Sequence, residues 1–374
     1  MRTILFIIQK EFLQIFRNRT MLPIIFVLPV VQLIILVNAA TLEMKSIEMV
    51  MVDKDLSDMS RGLTGKFDGS PFFNLVPGTF SLEQAENMMK ENKCDMILHI
   101  PAGFEKKMVR ENNSSIQVLI NAINGTVAGI SNYYAMGIIS SYNRNLIASW
   151  YKVQTDEHLQ PTINIIPEYW YNPELDYKTF MVPAVLVILV TVIGAFLSGL
   201  NLVREKEMGT IEQINVTPIQ KIHFLAGKLI PFWIIALFDL GLGLFIGKLL
   251  FNIPMVGSIF LLFGVAGIYL IAVLGLGLLL STIAHTQQQA MLLSFFFMLI
   301  FIMMSGVFTS VETMPKWAQY MNIINPISYF MSIIRMILLK GSGLKDILGQ
   351  VIHLLIYGII ILSLAILRYR KVAA

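Results

Sequence analysis

A chain of 374 residues that is 56% hydrophobic and only 14% charged is too apolar for a soluble globular protein, so most of it must reside in lipid. Its single cysteine, Cys94, excludes an intramolecular disulfide. Its five histidines are too scattered for two imidazoles to share a helical turn, which argues against a metalloenzyme; the net charge of +4 says less than where the basic residues stand.

The first twenty residues carry a helical pattern. Ile4, Leu5, Ile8, Phe12, Ile15 and Phe16 fall within an arc of roughly 120° on a helical wheel, opposite Arg2, Gln9, Lys10, Gln14 and Arg17, which is the layout of a helix lying in a membrane interface. A frayed, positively charged lead-in is the plainer alternative. Residues 21–41 follow as the first expected span, with the apolar run from Met21 to Ala40. A cleaved signal peptide is its rival, because Val37-Asn38-Ala39 resembles a cleavage site, but the long amphipathic lead-in and the length of the apolar run argue against it.

Residues 42–178 read as an inserted α/β domain. Strands are predicted at Ile47 to Asp53, Phe72 to Val76, Asp95 to Ile100, Ile116 to Asn121 and Thr162 to Pro167, with helices between them. Ser81 and Gln84 have capping-box spacing. A long helix from Thr126 to Val153 carries Tyr133, Tyr134, Tyr142, Trp150 and Tyr151, read as its core face rather than as a binding surface. Asn124-Gly125-Thr126 would accept a glycan only in a eukaryotic secretory pathway, for which nothing else speaks.

Residues 179–374 supply five further spans, at about Phe180 to Val203, His223 to Leu250, Ser258 to Ala284, Ala290 to Thr309 and Ile347 to Leu367. With six spans the fold class is a polytopic α-helical membrane protein with an inserted α/β extracytoplasmic domain. The basic clusters at Arg2, Lys10, Arg17 and Arg19, at Arg204, Lys206, Lys221 and Lys228, and at Arg368, Arg370 and Lys371 then share one side, so both termini are expected in the cytoplasm. Arg335, Lys340 and Lys345 run against that rule.

The inside loop, residues 204–220, has unusual local chemistry. Thr210 with Gln213 and Thr217 with Gln220 are capping boxes, Pro218 stands at a first helical position, and Gly209 permits a break before Thr210. These features predict a stiff acidic elbow; an ordinary solvated loop is the alternative. In the third span, Gly243 and Gly247 have the spacing that lets helices approach closely, although glycine is common in such helices. Asp239, the one acid well inside a span, should be protonated or line a translocation path. Residues 311–341 are too amphipathic to cross and too apolar to be free, and are predicted to dip back from outside as a hairpin broken at Pro315 and Pro326, with Trp317, Tyr320 and Tyr329 at the interface and Arg335 reaching to headgroups.

The run from Glu205 to Pro218 resembles the E-x-E-x-G-T-x-E-x-L-x-x-T-P signature of type 2 ABC export permeases, with Ile214 in the usual leucine position. Trp170-Tyr171-Asn172-Pro173-Glu174 through Pro183 is similar to the lead-in to the family's second span. Gly306, Phe308, Met314, Pro315, Asn325, Pro326, Tyr329, Arg335 and Gly341 resemble its C-terminal signature. The resemblance covers essentially the whole chain and is nearest to drug- and antibiotic-efflux members with a large extracytoplasmic domain after the first span. It implies an interfacial first helix, an outer hairpin capping the pathway, and an elbow whose Arg204, Glu205, Glu207, Gly209, Thr210, Glu212, Thr217 and Pro218 couple to a separate ATPase.

On this reading the chain is the permease subunit of an exporter in a bacterial inner membrane, moving a drug-like, lipid or other amphipathic substrate out of the cytoplasm or inner leaflet. Its partners would be an ABC ATPase, a second identical or related permease chain, lipid, and a periplasmic adaptor, with no nucleic acid. It would bind no cofactor itself, ATP and magnesium belonging to the ATPase. No phosphate loop is present; Gly243 to Lys248 has the wrong spacing and lies in a span. H-E-x-x-H and G-x-S-x-G are also missing, against an intramembrane enzyme. A membrane-anchored sensor or a passive channel are the alternatives, and co-purification with an ATPase separates them from an exporter.

Overall fold

The computed structural model describes residues 2–19, 21–39, 46–77, 79–123, 125–150, 170–173, 176–210 and 219–369, in two compact units, Met1–Leu42 with Glu168–Ala374 and Glu43–Pro167. The first unit begins with α1 (Arg2–Arg17) and α2 (Met21–Ala39). The apolar residues of α1 divide into two sets. Ile15 is buried and Phe12 packs against the unit's core, whereas Leu5, Phe6, Leu13 and Phe16 are exposed. The buried stripe also contains an acid, Glu11.

The second unit is built on a four-stranded sheet in the order β2-β1-β3-β4, from β1 (Ile47–Asp53), β2 (Phe73–Leu75), β3 (Met96–Ile100) and β4 (Gln117–Ile120). β1 runs parallel to both neighbours, and β4 is antiparallel to β3. Parallel pairing needs crossovers, and α3 (Asp58–Asp68) and α4 (Leu82–Lys90) provide them; α5 (Phe104–Glu111) and α6 (Gly125–Trp150) complete the unit. Because both faces are covered, β1 is apolar on both: Ile47 and Met49 join Leu63, Phe67 and Phe104, while Val50 and Val52 join Ala85 and Cys94. Four predicted strands are thus present within two residues of their expected ends, and the fifth, Thr162 to Pro167, lies outside the described residues, as does Asn124.

Two local expectations for this unit change. The Ser81 hydroxyl accepts from the Gln84 amide at 3.5 Å, but the return arm differs: Thr79 Oγ1 bonds the Gln84 side chain and accepts from the Ser81 amide at 3.1 Å. Thr79 stands in the way of a closed box. The α6 aromatics also split. Tyr134 stacks on Phe72 with ring centroids 3.9 Å apart and Tyr142 donates to the Met59 carbonyl at 2.7 Å, but Tyr133 and Trp150 are exposed, and Tyr151 is outside the described residues.

Asp55 pins α5 to the end of β1. Its Oδ1 accepts from the Gly103 and Phe104 amides at 2.7 and 3.0 Å, and its Oδ2 from the Glu105 amide at 3.0 Å. Burial works against the charge, but hydrogen bonds from Ser57 and from these amides outweigh it and hold the carboxyl below its ordinary value. A depressed pKa gives stability that is present above the unfolded value of about 4 and is lost as pH falls through the folded one. Asp55→Ala should therefore cost about 1–2 kcal/mol at neutral pH, read as faster hydrogen exchange in Phe104–Glu111, and the difference from wild type should shrink in strong acid.

The first unit resumes with α7 (Tyr177–Glu207), α8 (Lys221–Phe251), α9 (Ile259–Ile283) and α10 (Gln287–Met304), and ends with α11 (Lys316–Asn322), α12 (Pro326–Lys340) and α13 (Leu344–Arg368). Among the described residues, six helices of this unit, α2, α7, α8, α9, α10 and α13, are long and apolar enough to cross a membrane. α7 is central: 83% of its most apolar stretch is buried, against 22% for α2, 17% for α10 and 22% for α13, which leaves those three with apolar faces toward lipid or another chain. Buried Tyr269 of α9 ties this core together, bonding Thr191 of α7 and stacking on Phe330 of α12 at 4.3 Å. At Gly243 of α8 a Cβ would collide with the Leu186 side chain of α7, so the close approach expected from the glycine spacing is present.

Candidate functional site

The end of α7 gathers three helices around buried charge. Asn201 and Glu205 are one helical turn apart and point the same way, toward Glu11 of α1 and Lys228 of α8. Lys228 Nζ lies 2.9 Å from Glu205 and 3.2 Å from Glu11, and also bonds the Asn201 side-chain oxygen. The Asn201 amide donates to Glu11 at 2.8 Å, and Lys10 reaches Glu205 at 2.8 Å. Glu11, Glu205, Lys228 and Asn201 are all buried, while the Lys10 side chain is 44% exposed.

Two carboxylates and two ammonium groups balance, which makes the cluster tolerable away from water. Burial pulls Lys10 toward neutrality, but the Glu205 hydrogen bond and the charges of Glu205 and Glu11 outweigh it, so its pKa stands above the ordinary lysine value. Stability from a raised lysine is present below about pH 10 and fades only above it, so Lys10 remains a cation throughout the physiological range.

The next residues fasten two other helix ends. Lys206 Nζ donates to the carbonyls of Ser281 at 2.7 Å and Ala284 at 3.3 Å, where α9 finishes. Glu207 accepts from the Gln287 amide at 2.7 Å, where α10 begins, and also bonds the Gln287 side chain. Each charge has the sign that its helix terminus favours.

Gly209 takes a φ of +69°, which ends α7 as its sequence predicted. Thr210 turns back to donate to the Glu205 carbonyl at 3.3 Å. Arg204 is exposed. Glu212, Thr217 and Pro218 lie outside the described residues. Of the elbow residues singled out by sequence, Glu205 is thus internal, Glu207 is exposed but bound to α10, and Arg204 faces outward. Glu11, Asn201 and Lys228 were missed as a group. One signal was available: Ile4, Ile8, Glu11 and Ile15 share a stripe at spacings of four, three and four, so an acid stands in an apolar seam.

Asp239 is 2% exposed on the α8 face that also carries Gly243, and neither carboxylate oxygen has a hydrogen-bond partner among the described residues. The segment from 311 to 341 is a bent pair, α11 and α12 meeting at 86°. Its signature residues are largely structural. Asn325 caps α12 at the Ile327 amide, 3.1 Å, and holds the Phe301 carbonyl at 2.7 Å; Pro326 opens the helix and Gly341 closes it in the left-handed region. Met314 accepts from Gln319 at 2.8 Å, Pro315 precedes α11, and Tyr329 bonds the Ile323 carbonyl at 3.2 Å while stacking on His353.

Arg335 does not reach outward as expected. Its guanidinium donates to the Gly306 carbonyl at 2.9 Å, just beyond α10, and lies 3.7 Å over the Phe180 ring of α7. Free carbonyls at a helix end and an aromatic face offer a planar cation more than a longer reach to headgroups does. Arg335→Lys cannot reproduce the fork and the stack together, and is expected to lower stability by about 1–2 kcal/mol in thermal unfolding of the purified chain. Among the described residues there is no group of three or more potential ligands placed to hold a metal.

Comparison with known proteins extends this picture. The ABC-2 family transporter protein profile matches residues 19–367. The protein named "Probable multidrug ABC transporter permease YbhR" of Escherichia coli K12 is 31% identical over 350 residues, covering 94% of this chain and 93% of that one. The similarly named YbhS is 27% identical over 372 residues, covering 97% and 95%. The "Inner membrane transport permease YhhJ" of the same organism is 26% identical over 324 residues, covering 86% and 85%.

Proposed function

The chain belongs to the ABC-2 family of transporter proteins, and from that premise we propose that the end of α7 is where its partner ATPase drives it. The protein is the permease subunit of an ABC exporter of the inner membrane, crossing it several times, and ATP hydrolysis belongs to a separate subunit. That sets aside the sensor and channel alternatives.

The observation that carries the proposal is the buried cluster of Glu11, Glu205, Lys228 and Asn201, which ties α7 to α1 and α8 at the cluster of basic residues read as cytoplasmic. Nucleotide-driven closure of the ATPase pushes on the segment from Arg204 through Thr210 and on into Glu212, Thr217 and Pro218. Glu205 receives that push from inside rather than by touching the partner. Lys206 and Glu207 pass it to the ends of α9 and α10. The chain works with a second permease copy or a sister chain, to which the exposed apolar face of α10 is suited, and the bent pair of α11 and α12 caps the outer end of the path. Both termini are cytoplasmic, the α/β unit is extracytoplasmic and available to an adaptor, and ATP with magnesium sits on the ATPase. The cargo is drug-like or otherwise amphipathic, in keeping with the names of the two similar permeases.

A single-cysteine Met208→Cys chain in a Cys94→Ala background tests the placement. Impermeant maleimide should label it only from the cytoplasmic side, with protection when the ATPase is bound; labelling from outside removes the elbow from the mechanism. Asp239→Asn tests the pathway role of that acid, which fails if export of every substrate is unchanged.

A further inference from the structure

A cleft of about 770 Å³ opens beside the buried cluster, between the last turn of α1, the turn into α2 and the end of α7. Its wall carries Lys10, Arg17, Arg19 and Arg204 against a single carboxylate, Glu205. That carboxylate is already neutralised by Lys10 and Lys228. Arg17, Arg19 and Arg204 are exposed, and none forms an ion pair among the described residues. Three guanidinium groups that line one recess without an anionic partner among the described residues call for an anion, and their planar forks suit the oxygens of a phosphate.

The source of that phosphate follows from what borders the cleft. Leu13 forms part of its wall and is 53% exposed, and Phe16, on the next turn of α1, is 55% exposed. A soluble anion gains nothing from these side chains, whereas the acyl chains of a lipid would cover them. We propose that this cleft binds the phosphate of an anionic phospholipid from the leaflet in which α1 lies, with the lipid tails against Leu13 and Phe16. The lipid then braces α1 against the end of α7 from outside, beside the ion cluster that joins them from within. Basic recesses among membrane helices are suited to such headgroups. The inference rests on the interfacial placement of α1 and not on the coupling role of the elbow.

The test uses the full-length chain in detergent, with native mass spectrometry after adding phosphatidylglycerol or phosphatidylcholine of identical acyl chains. Wild type should retain phosphatidylglycerol with a preference of about tenfold, and the double variant Arg17→Gln, Arg204→Gln should bring the two lipids close to parity. The charge-preserving pair Arg17→Lys, Arg204→Lys should keep most of the preference, and unchanged thermal unfolding in all three chains separates lost binding from lost fold. Equal retention of both lipids by wild type, or full preference in the glutamine pair, overturns the proposal. Displacement of the lipid by millimolar inorganic phosphate also overturns it, since the cleft would then be a soluble-anion site. Quenching of Leu5→Trp by acyl-brominated phosphatidylcholine reports the depth of α1 separately, so failure of that placement is distinguishable from failure of the site.

Discussion

Lys228→Met is expected to destabilise the purified chain by about 3–5 kcal/mol, because it strands Glu11 and Glu205 in the interior without the cation between them. Lys10 cannot take over: it reaches Glu205 at 2.8 Å but Glu11 only at 3.6 Å, and its side chain is 44% exposed. Lys10→Met should accordingly cost about 1 kcal/mol or less, as exposed pairs do. Adding Glu11→Gln to Lys228→Met removes one of the stranded charges and should recover part of the loss. Thermal unfolding of the four chains of that cycle measures the coupling directly, expected at about 1–3 kcal/mol. Additive losses would mean that the two residues do not share a site.

The second large effect is on transport rather than folding. Glu207→Lys puts a cation at the start of α10, where the carboxylate now accepts from the Gln287 amide, so the helix end meets the wrong charge. Glu207 is exposed, and the chain should still fold and bind its ATPase. Export should fall by about tenfold or more while ATP hydrolysis continues, a loss of coupling in the range that residues along such a connection carry. Export and hydrolysis measured together in the reconstituted complex check this. A proportional fall in both would place Glu207 in ATPase binding instead. Glu205→Lys is a poorer probe than the motif suggests, because a cation at that buried position would meet Lys228 and Lys10 and break the fold before it uncoupled anything.

Why the helix break at Gly209 was legible and the cluster was not is a matter of range. Helix-breaking and apolar run length act over a few residues, so Gly209, the break at Pro326, the six spans and four strands could be read from neighbours in the chain. The cluster joins residues up to 217 positions apart, from Glu11 to Lys228, and no local rule pairs them. Lys228 looked like one more cytoplasmic charge, and neither Glu11 nor Asn201 stood out. Arg335 failed for a related reason: sequence showed a cation near an interface, but not that the Gly306 carbonyl and the Phe180 ring stand beside it. The α6 tyrosines show the limit of a single-face reading, since Tyr133 and Tyr134 are adjacent and a helix must send them different ways.

Spin labels at Leu5→Cys on α1 and Met208→Cys beyond α7, both exposed, test the central claim most directly in a Cys94→Ala chain bound to its ATPase. If the buried charges hold α1 and the end of α7 as one body through the cycle, the distance distribution between the labels is the same without nucleotide and with ATP trapped. A second, shifted population on trapping ATP would contradict it.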